Sequence, residues 1–155
     1  MSKLKRSTIN LLRKVEAQIL EEPKRLDMGD FGSAFGGSFG KDKSIPECRT
    51  RACIGGWAIL LKKPRVWKDF IKVSNAASYS ADIGEVISGD VHDEAQGVLG
   101  LDRTQSCKLF YHNGSGDGGW PELFETAYDN AKSAKQRAKV TVQRIEHFIA
   151  TDGAE

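Results

Sequence analysis

Apolar positions along most of the chain recur every three or four residues, the spacing of helices packed against a core. Ser7 is a predicted N-cap, and Ile9, Leu12, Val15 and Ile19 then share one face. Pro23 ends that helix, because the residue before a proline avoids helical backbone. Ala52–Lys63 reads as a second, central helix: Trp57, Ile59, Leu60 and Leu61 leave it little polar surface, and Pro64 stops it. Val66–Val73 suits a short helix or turn, whereas Ser74–Asp90 has weak periodicity. A helix from Val91 through Ala95 and Val98 meets its C-terminal cap at Gly100. Asp102 and Gln105 have the capping-box spacing for the next helix, which carries Cys107, Leu109, Phe110 and Tyr111. Pro121, Glu122 and Glu125 suit the positive start of another. Ser133 with Gln136 caps the last helix, where Ala138, Val142, Ile145 and Ile149 trace one face.

Few stretches alternate as strands do. The predicted fold is all-α: one compact domain over residues 1–155, with about five to seven helices and two glycine-rich loops. The first loop, 31–47, contains a Phe-Gly repeat (Phe31-Gly32, Phe35-Gly36, Phe39-Gly40) whose glycines weigh against a helix. The second is 112–119. Both are expected to be flexible, and 151–155 to be a disordered tail.

Length and composition agree with that fold. A chain of 155 residues suits a single domain burying about 70% of its unfolded surface, and 39% hydrophobic with 28% charged residues is ordinary for a globular protein. A net charge of +2 does not by itself imply nucleic acid. Basic residues cluster near the start, at Lys62-Lys63-Pro64-Arg65, and within Lys132–Lys139; solvated helix faces explain such clusters, and a nucleic-acid surface is the alternative. No apolar run approaches the ~20 residues that span a bilayer. Ile9–Leu20 is interrupted by Arg13, Lys14, Glu16 and Gln18, so it is no signal-peptide core. Three cysteines, an odd number, argue against a secreted disulfide framework, and the expected compartment is the cytoplasm.

The densest run of special residues is Cys48-Arg49-Thr50-Arg51-Ala52-Cys53-Ile54-Gly55-Gly56-Trp57-Ala58. Cys48 and Cys53 lack the C-x2-C spacing of a zinc knuckle, and free thiols, a disulfide and metal ligation all remain open for them. Cys53 stands at a predicted helix N-terminus near Arg49 and Arg51, a setting that lowers a thiol pKa, but its apolar neighbours favour core packing. Gly55 and Gly56 either offer amides to an anion or allow a close approach of backbone. Asp90-Val91-His92-Asp93-Glu94, with three carboxylates and an imidazole, reads as a solvated helix start rather than a metal site. Gly36-Gly37-Ser38-Phe39-Gly40-Lys41 lacks the spacing of a phosphate-binding P-loop. Among the aromatic residues, Trp120, between Gly119 and Pro121, is expected to be the most exposed.

Several short motifs, in order, resemble an uncharacterised family of small phage and bacterial proteins. They are Pro23-Lys24-Arg25-Leu26-Asp27-Met28, the block from Cys48 to Ala58, Leu99-Gly100-Leu101 with Gln105 and Leu109-Phe110, then Trp120-Pro121, and finally Arg144-Ile145 with Phe148-Ile149. Arg49 stands where the family pattern has glycine and Gly55 where it has alanine, and the Phe-Gly segment resembles an insertion. The resemblance implies no activity. It does imply that Asp27-Met28, the Cys48–Trp57 block and Trp120-Pro121 converge, as a core or as a pocket.

These features lead to the expectation of a non-catalytic binding protein, an accessory protein of a phage or mobile element that holds a small ligand or a host protein partner. Its predicted ligand-binding residues are Asp27, Arg49, Thr50, Cys53, Gly55, Gly56, Trp57 and Trp120, with no cofactor and no metal. The alternatives are a nucleic-acid-binding helical domain and a cysteine-dependent enzyme using Cys53.

Overall fold

The structure, a computed structural model, describes residues 3–35, 50–76, 80–114 and 118–155. Among these residues the fold is all-α, with seven α-helices: α1 (Arg6–Glu21), α2 (Ile54–Lys62), α3 (Pro64–Ala76), α4 (Val91–Leu99), α5 (Arg103–Phe110), α6 (Glu122–Asp129) and α7 (Ala134–Ala150). A small antiparallel sheet accompanies them, ordered β2-β1-β3, from β1 (Ser33–Phe35), β2 (Thr50–Arg51) and β3 (Ser80–Asp82).

The predicted punctuation is largely where the chain turns. α1 buries Leu11, Leu12, Val15 and Ile19 along one stripe and stops at Glu21, before Pro23. Its N-cap is Lys5 rather than Ser7, which lies inside the helix. Pro64 both halts α2 and opens α3, because at a first helical position its missing N–H costs nothing. Gly100 ends α4 in the left-handed conformation (φ 65°), and Asp102 with Gln105 forms the capping box of α5.

α2 is the centre of the molecule. Every residue from Ile54 to Leu60 is buried, and α1, α3 and α4 pack around the helix. α7 closes the core from the other side of α1 and α6, with a face rotated from the expected one. Its buried residues are Ala138, Thr141, Arg144, Ile145 and Phe148, while Val142 and Ile149 are only half-buried. Thr141 bonds internally, its Oγ1 donating to the Arg137 carbonyl (2.9 Å), whereas Arg144 is partly satisfied: Nη2 donates to the Lys108 carbonyl (3.0 Å), and its buried Nε and Nη1 have no hydrogen-bond partner among the described residues. The Arg144 guanidinium also lies near the faces of Phe124 and Phe148 (5.9 and 5.5 Å), and burial pushes its pKa down to about 10.

Two segments depart from the expected loops and tail. Ser33–Phe35, inside the first expected loop, is a strand, and the ring of Phe31 sits edge-on to those of Phe110 and Tyr111 (6.0 and 6.5 Å). Residues 36–47 of that loop lie outside the described residues. The second loop is irregular where it is described, with 115–117 outside the described residues, and the Trp120 N–H donates to the Tyr111 carbonyl (3.0 Å), joining its two ends. The expected disordered tail makes defined contacts: Gly153 N–H reaches back to the Phe148 carbonyl (2.8 Å), and Asp152 accepts from the Leu4 N–H (2.8 Å). Among the described residues no helix is long and apolar enough to cross a membrane.

Candidate functional site

The conspicuous Cys-Gly-Gly-Trp run forms the sealed start of α2. Cys53 is its N-cap, and the Cys53 N–H donates to the Asp30 carbonyl (2.8 Å). The thiol is free and buried. Burial, reinforced by the Asp30 and Asp27 charges, pushes its pKa up to about 12 against the opposing pull of the Gly55 and Gly56 amides. The proton therefore stays on sulfur at neutral pH, the reverse of an activated nucleophile. A Cβ on Gly56 would lie 1.5 Å from the Phe31 carbonyl oxygen, and one on Gly55 would lie 2.9 Å from Phe31 Cε1 and 3.2 Å from Ala95 Cβ. Both glycines serve close approach of backbone and ring. Trp57 is buried, with the Arg25 guanidinium 4.4 Å above its ring.

Of the remaining predicted residues, Arg49 lies outside the described residues, and Thr50 belongs to β2, where its backbone pairs with Ala34. Trp120 is only 4% exposed, contrary to expectation. Its indole N–H donates to the Leu109 carbonyl (2.9 Å), which lets the polar edge of the ring enter the core. Two of the described residues of the predicted set line open clefts: Trp120 edges one of about 420 Å³ with Lys108, Glu122 and Glu125, and Asp27 lines a more basic one.

That cleft, about 400 Å³, is lined by Lys24, Leu26, Asp27, Arg51, Tyr128, Ala134 and Arg137. Backbone bonds hold its first wall. Ala52 N–H donates to the Arg25 carbonyl (3.0 Å) and Asp27 N–H to the Ala52 carbonyl (3.2 Å), which fixes Arg51 alongside the Lys24–Asp27 segment. Tyr128 forms the second wall from α6. Its ring stands perpendicular to Trp120 (5.6 Å), and its hydroxyl accepts from the Met28 N–H (3.4 Å). The expected convergence is thus physical: Asp27-Met28 meets the Cys53 block through the backbone and Trp120 through Tyr128. Burial, then the nearby Asp27 charge, raise the Tyr128 pKa, so its O–H remains a donor at neutral pH.

Three cations face a single carboxylate across this space, and Ala134 at its edge brings the positive end of α7. Arg137 Nη1 donates to the Ala131 carbonyl (3.3 Å). Among the described residues no ion pair involves Lys24 or Arg137. The cleft offers charge-assisted donors for an anion, with Asp27 as the one acceptor for a cationic or donor group. Sequence reasoning missed Lys24, Tyr128 and Arg137 as partners because they come from distant parts of the chain with no shared motif.

Asp90, His92 and Asp93 place ligand-type atoms within 4.8 Å of one another. A guanidinium already stands among them: Arg103 Nη1 is 2.8 Å from His92 Nδ1 and 3.1 Å from Asp93 Oδ1. Asp90 is engaged as the cap of α4, accepting from the Asp93 N–H (3.0 Å). Burial, then the Arg103 charge, lower the His92 pKa. Arg103 answers one of the two carboxylates, and the other is committed to the helix cap.

Fold and cleft together define a small all-α protein with a basic, ligand-sized cavity open to solvent. Compared with known proteins, the chain matches no family model, no curated protein and no solved structure.

Proposed function

We propose that this is a non-catalytic binding protein whose cleft holds a small molecule through a phosphate or carboxylate group. The observation that carries the reading is the meeting of Lys24, Arg51 and Arg137 around one carboxylate in a cavity of about 400 Å³. That volume falls within the ~300–1,000 Å³ of small-molecule sites. Arginine forks and a lysine suit oxyanions, and the Tyr128 hydroxyl adds a neutral donor. Among the described residues no histidine or cysteine lines the cavity, and its Lys24, Arg51 and Arg137 are the side chains suited to holding an anion. A concave site also suits a small ligand better than a host protein, whose interface buries roughly 800 Å² per side.

Titration calorimetry at low salt tests this with adenosine monophosphate, citrate and inorganic phosphate as probes. We expect one-to-one binding of at least one of them, weakened about tenfold or more by Arg137→Ala, the loss of one charged hydrogen bond. If none of the three binds at millimolar concentration, the reading fails. If a single-stranded oligonucleotide binds instead, with affinity falling steeply as salt rises, the nucleic-acid alternative replaces it.

A further inference from the structure

Helix α6 has two unlike faces. Tyr128 is buried and Phe124 half-buried on the inner one, while Glu122, Leu123, Thr126 and Ala127 are exposed on the outer one. Leu123 is 77% exposed, well beyond Leu20 (53%) and Tyr111 (37%), the other exposed large hydrophobic residues. Its face forms a shallow hollow of about 460 Å³ with Ala127 and Asn130. Those two residues also border a second hollow, about 380 Å³, edged by Ala131, Lys132, Lys139 and Val140. One groove therefore runs from an acidic, leucine-bearing end to a basic, alanine-lined end.

We propose that this groove is a self-association surface, on which a second copy of the chain packs with its α6 antiparallel about a two-fold axis at Ala127. The two-fold follows from charge and register. In a symmetric contact the same patch must complement itself. Antiparallel pairing brings the Glu122 end of each copy to the Lys132 end of the other, just past the C-terminus of α6. It also brings Leu123 towards the partner's second hollow, which has room for a leucine side chain. A parallel pairing would set glutamate on glutamate and lysine on lysine. Ala127 at the axis lets the helices approach closely, and among the described residues no ion pair engages Glu122, Lys132 or Lys139. A single helix face makes a small interface, below about 1,200 Å² in total, so the association is weak. No residue of the groove lines the basic cleft, which stays open in the dimer.

Sedimentation velocity on the full chain over a concentration series up to about 100 µM reads the association directly. The expected result is a monomer–dimer equilibrium that Leu123→Asp abolishes. Glu122→Lys and Lys132→Glu should each weaken it about tenfold or more, and the double variant Glu122→Lys with Lys132→Glu should restore it. All three positions are exposed, and circular dichroism confirms that each variant is folded. A wild-type chain that stays monomeric throughout, or a dimer indifferent to Leu123→Asp, overturns the proposal. Single charge variants that are not rescued by the double variant overturn the antiparallel arrangement.

Discussion

Arg51 and Cys53 stand two residues apart on the chain and end in opposite surroundings. Cys53 begins a helix start with no spare volume, where the Phe31 carbonyl fills the space a side chain at Gly56 would need. Arg51 belongs to a strand whose neighbours leave an open cleft edged by Lys24 and Arg137. The first region spends its unusual residues on fit: glycines for approach, a thiol buried as a small apolar group, a tryptophan against an arginine. The second is built from ordinary charged residues brought from three separate elements. A high density of special residues here marks steric constraint, and a cluster of cations around an open cleft sits beside it.

Substitutions separate the two regions most sharply at the glycines. Gly56→Ala sets a Cβ against a backbone carbonyl, a clash no rotamer can relieve, and should cost more than about 3 kcal/mol despite the gain in helix propensity. Gly55→Ala meets the edge of the Phe31 ring, which can shift, and should cost about 1–2 kcal/mol. Urea denaturation compares them. Equal, small losses at both positions would show that the helix start is not close-packed.

The fold was legible wherever local chemistry decides. Pro23, Pro64 and Gly100 act through their own backbone, and the Asp102–Gln105 box and Ser133 through side chains that bond backbone three residues away, so each boundary could be read from neighbouring letters. β1 was not legible, because Ser33–Phe35 becomes a strand only by pairing with Arg51 on one side and Asp82 on the other. The α7 face was misplaced for a related reason. Arg144 reads as a surface residue until its bond to the Lys108 carbonyl and its aromatic neighbours are known. The cleft was half-read: Asp27 and the block containing Arg51 were in view, though not its strand, and Arg137 looked like one charge in a solvated basic run. What brings it to Lys24 is the packing of α7 against the Pro23–Arg25 turn, a long-range contact no local pattern encodes.

Chemistry at Cys53 gives the next, smaller contrast. With its pKa pushed up to about 12 from 9.0, its thiolate fraction near neutral pH falls on the order of a thousandfold below that of an exposed thiol. Iodoacetamide followed by peptide mapping should therefore modify half-buried Cys107 in the folded chain and leave Cys53 intact until denaturant is added. Rapid modification of Cys53 would mean that the helix start opens, and that the sealed and open regions differ less than their packing indicates.

The smallest effect is expected where function is expected to be largest. Lys24 is exposed, and Arg137 holds only the Ala131 carbonyl at 3.3 Å, so neither supports the core. Both add positive charge to a cleft that already contains Arg51, and like charges in one cavity repel. Lys24→Ala and Arg137→Ala should change stability by less than about 0.5 kcal/mol, with relief of repulsion offsetting the lost carbonyl bond. Thermal unfolding at low salt measures this, beside the affinity of the same variants for the anionic probes. A loss above about 1.5 kcal/mol in either variant would make its cation a structural member, and the cleft a by-product of holding α7 in place. Unchanged stability with weakened binding places those charges in the service of a ligand, since the fold gains nothing by keeping them together.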